Sequence, residues 1–519
     1  LALTVITATY AYFNAQVGDP AAADIKINAN TVDTFTFSSG SEISFSINQD
    51  NFASGAGNQS GSTYASAMLT ANNKTNTATE HYYLYLNIED NTFTYSINEN
   101  TPEIIMTVTD SAGTEITDIS TLTHVIVTGA NGTQVSGYDI TNKSGLITLF
   151  NNREITTTSS KEEKWNITIT FVNYDENQNA NAGKSMSAKV MIQKEVIPQV
   201  ISDVCGSGEN LATCITTLAG KSSASITKIY HHDASLANGT GDNSYRYAGA
   251  NDQVNNYVCF GSSVTPCPED NLYRIIGVFG DKVKLIKSDY ATSALLGTDG
   301  DYKQAYTATV YSSSSYKGNN LANVAAYTWN YKNNTTINNG AGSNTWSTSL
   351  LNKTNLNKNF ITNIGADWAA KMAETTWKVG GNTWANIGTQ PAKTAYQNEI
   401  VSPVTTNTTD DATTYSAKVG LMYASDYGFA AAPSAWTTGL SSYNGEAIKN
   451  VNWMYMGLYE WTISRSVDHA SSVFGVYSAG NVHDDDAAHA FGVRPAFYLT
   501  SSVTYVEGDG TKNLPIRID

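Results

Sequence analysis

Charge and proline are both scarce. Asp, Glu, Lys and Arg make up only 15% of the 519 residues, and there are 10 prolines. The basic side is the poorer one, with 30 Lys and Arg against 46 Asp and Glu for a net charge of -16. A chain this acidic offers no electrostatic footprint for a phosphate backbone, which argues against nucleic acid as a partner. No G-x-S-x-G elbow, H-E-x-x-H helix or Walker loop occurs, and no spacing singles out two of the many carboxylates. The motif-borne routes to hydrolysis are therefore missing, and an enzyme is not expected. Cysteine is confined to Cys205, Cys214, Cys259 and Cys267. Neither local spacing is the short knuckle that zinc uses, so two disulfides in an exported protein are expected, with three connectivities open.

Where charge is missing, Asn, Thr, Ser, Gly and 31 Tyr supply the polar surface, a texture suited to an extracellular β-rich protein. The length allows two to four domains. Residues 1–16 form an apolar segment, 17–197 a β-sandwich, 198–244 a cysteine-containing linker and 245–519 an α+β domain, so the expected fold class is mainly β.

The first run, Leu1 to Phe13, is mostly apolar and uncharged. As a helix it reaches only about 20 Å at ~1.5 Å per residue, short of the ~30 Å core of a bilayer, so it does not span one alone. Two readings stay open. It is the remnant of an export signal or anchor, the one route by which the chain would touch a membrane. Alternatively, its β-branched and aromatic residues make it a strand donated to another subunit, with Leu3, Val5, Ile6, Tyr10, Tyr12 and Phe13 as the assembly residues.

From Ile25 to Val196, period-two alternation predicts about nine strands. They are Thr34–Phe37, Glu42–Ile47, Tyr82–Ile88, Thr92–Ile97, Ile104–Thr109, His124–Thr128, Leu146–Phe150, Trp165–Val172 and Ser187–Ile192. Turn clusters such as Gly129–Gly132 separate them, which describes an antiparallel jelly-roll or immunoglobulin-like sandwich. In the second half, Leu272–Phe279 and Lys282–Lys287 flank Gly280-Asp281 as a hairpin. Leu356, Phe360, Ile364 and Trp368 recur at i+4 and predict a helix near 354–374. Leu211–Leu218 reads as a short helix beside the first cysteine pair, and Ser425–Ala430 as the start of another. Polar loops are expected at 311–346 and 403–416, where binding surfaces tend to lie.

Two resemblances add to this. The run ending Thr9-Tyr-Ala-Tyr-Phe13, the Thr-rich sandwich and Trp165-Asn-Ile-Thr-Ile-Thr-Phe-Val-Asn-Tyr174 resemble the TasA/camelysin-type secreted proteins of Gram-positive bacteria. That resemblance implies a jelly-roll subunit of surface or biofilm fibres, in which an N-terminal strand completes the neighbour's sheet. Over 245–519, the cassette Glu460-Trp-Thr-Ile-Ser-Arg465, Val473-Phe-Gly-Val-Tyr-Ser-Ala-Gly480 and Gly492-Val-Arg-Pro-Ala-Phe-Tyr-Leu499 is similar to bacterial surface domains related to C-type lectins and sulfatase-modifying factors. This implies a lectin-like scaffold whose cassette strands share one small sheet. The cysteine-based chemistry of the sulfatase-modifying relatives does not carry over, because no cysteine follows Cys267.

Candidate chemistry gathers near the cassette. His483, Asp484, Asp485, Asp486 and His489 have the donors for calcium or a transition metal, calcium being the only cofactor expected; the alternative is a solvated hairpin loop. Asp299-Gly-Asp301 is a lesser calcium candidate, or a turn. Arg465 with Asp468 and His469 reads as an anion or ligand contact, and Trp436 as a sugar-stacking face; the competing readings bury both in the core. The expected function is a secreted, cell-surface filament subunit that polymerises with copies of itself and displays a domain binding glycan or protein. A monomeric anchored adhesin and a carbohydrate-active enzyme are the alternatives.

Overall fold

The computed structural model describes residues 33–48, 56–72, 76–305, 324–403 and 413–519. The Leu1–Phe13 segment with its assembly residues lies outside this set, as do 306–323 and 404–412, which hold parts of the two polar loops. Strand outweighs helix, 37% against 20%, so the chain is mainly β. It divides into two units, Leu1–Val196 and Ile197–Asp519.

The first unit is an antiparallel sandwich of β1 (Thr34–Ser39), β2 (Ile43–Ser46), β3 (Gln59–Thr70), β4 (Ala78–Asn91), β5 (Ile104–Thr109), β6 (His124–Thr128), β7 (Gln134–Asp139), β8 (Gly145–Thr157), β9 (Ser160–Phe171) and β10 (Ser185–Gln193). One sheet runs β1-β3-β9-β5-β7-β6 and the other β2-β10-β4-β8. Alternation sends Ile167, Ile169 and Phe171 of β9 inward against Leu84, Leu86 and Ile88 of β4, all in one core. A polar chain crosses that core at one end. Trp165 Nε1 donates to Tyr82 Oη (2.8 Å), Tyr82 donates to Glu163 (2.7 Å), and Arg153 Nε donates to the same Glu163 oxygen (2.9 Å) while its guanidinium lies 4.5 Å from the Trp165 ring. These bonds tie β9 to β4 and β8 in the facing sheet, and satisfy polar groups whose burial would otherwise be costly.

Two strands had no clear sequence signal, and one expected strand is not a strand. β3 turns Ala65, Ala67 and Leu69 inward, and such small side chains carry little β-propensity; its register against β9 is unbroken all the same. β7 was also missed. Thr92–Ile97 forms no ladder, because beyond Thr92, whose N–H meets the Ser185 carbonyl, side chains take several of its backbone bonds. Thr94 N–H donates to Asn181 (3.1 Å), and the fully buried Glu103 carboxylate accepts from Ile97 N–H (3.2 Å), Gln178 (2.7 Å) and Asn181 (2.9 Å).

In the second unit, α1 (Leu211–Lys221) begins at Asn210, whose side chain accepts from Thr213 N–H. It buries Leu211, Ile215 and Leu218 in the same core as Ile201 and Ile229. The stretch 198–244, expected as a linker, is thus part of this unit. Its polar loop is anchored through Asp242, which takes Thr240 and Ser244 hydroxyls at 2.6 Å each. The disulfides are Cys205–Cys214 and Cys259–Cys267. They point to an oxidising environment. Among the described residues no helix is long and apolar enough to cross a membrane.

The main sheet of this unit contains β11 (Ile229–His231), β12 (Tyr245–Tyr247), β13 (Tyr257–Cys259), β14 (Leu272–Phe279) and β15 (Lys282–Lys287), followed by the strands Ala496–Tyr498 and Val419–Gly420. The β14–β15 hairpin turns at Gly280, whose φ of +64° suits glycine. A second sheet sets Gly381–Asn382 parallel to Glu460–Ser466, then Ser472–Val476 and Val482–Asp486 antiparallel. The cassette is therefore split between two sheets rather than sharing one, since Ala496–Tyr498 pairs with β15. The i+4 helix forms, but starts early at Leu351 with a wide π-type winding to Phe360 and breaks at Gly365 (φ +90°). Asn side chains shape the neighbouring loops: Asn330 holds the Thr345 carbonyl, Asn344 the Ser466 and His469 carbonyls, and Asn355 the Leu296 carbonyl.

Ile169→Ala in β9 removes fully buried apolar volume, and we expect it to destabilise the sandwich by about 2–5 kcal/mol in chemical denaturation. Replacing Cys205 and Cys214 together by Ala opens a short loop and is expected to lower the stability of the second unit by about 2–3 kcal/mol, read as a lower denaturation midpoint under oxidising conditions.

Candidate functional site

Four of the five residues predicted as a metal cluster sit on a strand, and His489 lies in the turn that follows it. Val482–Asp486 is the edge of the second sheet, and its alternation sends His483 and Asp485 to one face, Asp484 and Asp486 to the other. The side chains are engaged separately. His483 Nδ1 lies 3.3 Å from Asp484, His489 pairs with Asp485, Tyr477 Oη donates to Asp485 (3.0 Å), and Ser471 Oγ donates to Asp486 (3.1 Å). Among the described residues these donors do not gather around one point, which corrects the expectation of a single ion held by all five. A Cys205, Glu209 and Cys214 trio does gather, but its sulfurs are joined in a disulfide and are not thiolate ligands.

The cluster faces an aromatic surface that the sequence did not single out. The helix Trp384–Thr389 is capped by Thr383 Oγ1, which accepts from Asn386 N–H at 3.1 Å. Its first residue, Trp384, is 37% exposed and lies 4.0 Å from the His483 ring, the two planes tilted by 39°. Tyr477 follows at 5.2 Å from His483, and Tyr459 at 4.8 Å from Tyr477. Aromatic faces beside carboxylate acceptors and imidazoles suit a ligand that presents hydroxyls and C–H groups together.

The other predicted contacts divide. Trp436 is fully buried, packed on Phe429 and His232 with its Nε1 donating to the Ala431 carbonyl (2.8 Å), so it offers no face to a sugar. Arg465 is 1% exposed within the strand Glu460–Ser466, so it is not an open anion contact; this strand is buried on both faces. Arg494 is buried too, forked onto Glu460 (2.7 and 2.9 Å) and donating to the Met454 carbonyl. Asp468 and His469 are exposed just past that strand. Asp301 is no calcium ligand: its buried carboxylate accepts from Thr328 Oγ1 and from the backbone N–H groups of Tyr331, Lys332, Leu350 and Leu351. It clamps loops together.

Sequence reasoning also missed a largely buried polar network, because its members lie far apart in the chain. Asp426, in the helix Ala424–Ala430, receives Lys284 Nζ (2.6 Å) and Arg246 (3.3 Å). Arg246 also pairs with Asp242 (2.9 Å), to which Tyr396 donates (2.9 Å). Against the effect of burial, Arg246 holds the Asp242 carboxyl below the usual range. Burial, then Arg246, push His232 down to about 3. Burial pushes Glu399 up to about 7, though it accepts from Ser464 Oγ, Asn382 Nδ2 and Ser425 N–H. Lys284, Asp426 and Glu399 are each at most 3% exposed and each is met by a partner within the protein, so this buried part of the network acts on the fold.

No protein-family model matches the chain, and no curated protein matches it significantly.

Asp426→Asn leaves the Lys284 ammonium buried without its counter-charge, and is expected to cost about 3–5 kcal/mol in denaturation experiments. Glu399 ionises near 4.5 when unfolded and near 7 when folded, so the folded state binds the extra proton between those values. Its contribution to stability is complete below pH 4.5 and is lost as pH rises through 7. Melting curves of Glu399→Gln should lack that downward slope, while the parent protein shows it.

Proposed function

We propose that the protein is a secreted bacterial cell-surface structural protein, a pilus-like or biofilm-fibre subunit that assembles through its N-terminal strand and displays the second unit as a lectin-like binding domain. The observation that carries this reading is the edge of the smaller sandwich sheet. β8 is 13 residues long and pairs with β4 on one side, while among the described residues no strand pairs with its other side. At ~3.3 Å per residue that is roughly 43 Å of unpaired ladder, a length that soluble β-proteins avoid leaving open. The sequence Leu1–Phe13, uncharged and rich in β-branched and aromatic residues, has the length and composition that a strand donated to this edge on a neighbouring copy requires. The paired cysteines and the Asn-, Thr- and Ser-rich composition favour an extracellular setting.

A second reading, a monomeric anchored adhesin that binds glycan or protein, draws on the exposed Trp384 beside His483. Both readings use the second unit as a binding domain and differ in what the first residues do.

Electron microscopy of the purified chain tests the assembly. We expect regular fibres from the full chain, and monomers with unchanged circular dichroism once residues 1–13 are deleted. Strictly monomeric full-length protein at high concentration would defeat the fibre reading and leave the adhesin.

A further inference from the structure

Two lysines of β15 are buried in opposite ways. Lys284 meets Asp426 at 2.6 Å and lies 4.5 Å from the Tyr423 ring. Lys287, three residues on, is 1% exposed, and its Nζ has no hydrogen-bond partner among the described residues. The carboxylate beside it, Asp270, stands 4.0 Å away and is 84% exposed. An ammonium carries three N–H donors, and buried donors are nearly always met. A strand that satisfies one buried lysine and not the next points to a partner for the second that comes from outside.

Lys287 lines a cleft of about 230 Å³ together with Asp270, Asn271, Thr292, Leu295 and Ile364. Asn271 spends its amide nitrogen on the Phe260 carbonyl (3.1 Å). Asn363, also on the lining, spends its own on the Ala294 and Leu295 carbonyls (3.1 and 3.0 Å). What these two side chains hold in reserve is an amide oxygen, an acceptor. Thr292 Oγ1 accepts from Leu295 N–H (3.2 Å), which leaves its hydroxyl proton to donate. The wall therefore offers a buried cation, two acceptors, a donor and an apolar side. Its volume falls under the ~300 Å³ at which pockets for drug-sized ligands begin, so it has room for one ring and not a chain.

We propose that this cleft binds an acidic monosaccharide, a uronic acid, with the sugar carboxylate on the Lys287 ammonium, hydroxyls on the Asn271 and Asn363 amide oxygens and the carbon face against Leu295 and Ile364. The site rests on the display role given above to the second unit and names the ligand class for it. Burial pushes the Lys287 pKa down. A carboxylate brought against Nζ restores the charged form, which a neutral hydroxyl does not. Asp270 stands beside the same ammonium and competes with the ligand for it.

Isothermal titration of the full chain with sodium glucuronate and with glucose tests this. We expect glucuronate to bind and glucose to bind at least about tenfold more weakly, a difference of about 1.4 kcal/mol. Lys287→Met should abolish glucuronate binding with the near-ultraviolet circular dichroism retained, and Asp270→Asn, a change at an exposed side chain, should tighten it. The proposal fails if the parent protein binds neither sugar, if it binds both equally, if Lys287→Met still binds, or if Asp270→Asn binds more weakly. If Lys287→Met does not fold, the Asp270→Asn result decides. Titration reads the cleft whether or not fibres form, so failure here and failure of the assembly are told apart.

Discussion

The second unit is organised around a carboxylate that has to be buried. Asp426 takes Lys284 from β15, Arg246 from β12 and, at 3.0 Å, the backbone N–H of Tyr423 at the start of its own helix. Lys284 has no other ion pair among the described residues, and the buried carboxylate is not stable without its cations. The next residue back, Ser425, extends the same logic: its N–H meets Glu399, which holds Ser464 of the second sheet and Asn382 of the parallel pair. The two sheets and the helix between them are thus fixed by a continuous run of polar contacts inside a core that is otherwise aromatic and aliphatic. Apolar packing alone tolerates sliding, whereas charge pairs of this kind have one register.

The sandwich solves a milder version of that problem. Its buried Glu103 is ringed by hydroxyl, amide and backbone donors rather than by a cation, and its Trp165, Tyr82, Glu163 and Arg153 chain keeps the charged end near the surface. That leaves the sandwich mainly a layer of alternating apolar side chains, with its open edges set by strand order. Edge strands are where such a layer meets other chains.

Strands with large inward residues were legible from period two, as β4, β5 and β9 show, and so was the hairpin at Gly280-Asp281. β3 escaped because Ala65 and Ala67 fill its inward positions, and a small residue beside a Ser looks the same to hydropathy on either face. Thr92–Ile97 had the alternation of a strand, but Glu103 and Asn181 claimed its backbone, a contest that no local pattern reveals. Both cysteine pairings matched the simplest local reading. The site was legible only as a density of imidazoles and carboxylates. Which of them converge depends on strand phase, and Trp384, nearly a hundred residues upstream, had no local sign of meeting His483. Lys284 and Lys287 fall on opposite faces of β15, and burial on both faces is decided by what packs from elsewhere.

Beside the loops clamped by Asp301 and Asp242, several described segments of the second unit keep their form through neutral groups. Asn330, Asn344, Asn352 and Asn355 each hold main-chain carbonyls, and in a chain with few charges such amides do the work that surface ion pairs do in others. Ion pairs at a surface weaken as counter-ions crowd around them, while an amide held against a carbonyl gives salt nothing to screen. The contour of these amide-held segments is therefore set by covalent sequence and hardly at all by the ionic strength of the medium, the same in fresh water as in brine.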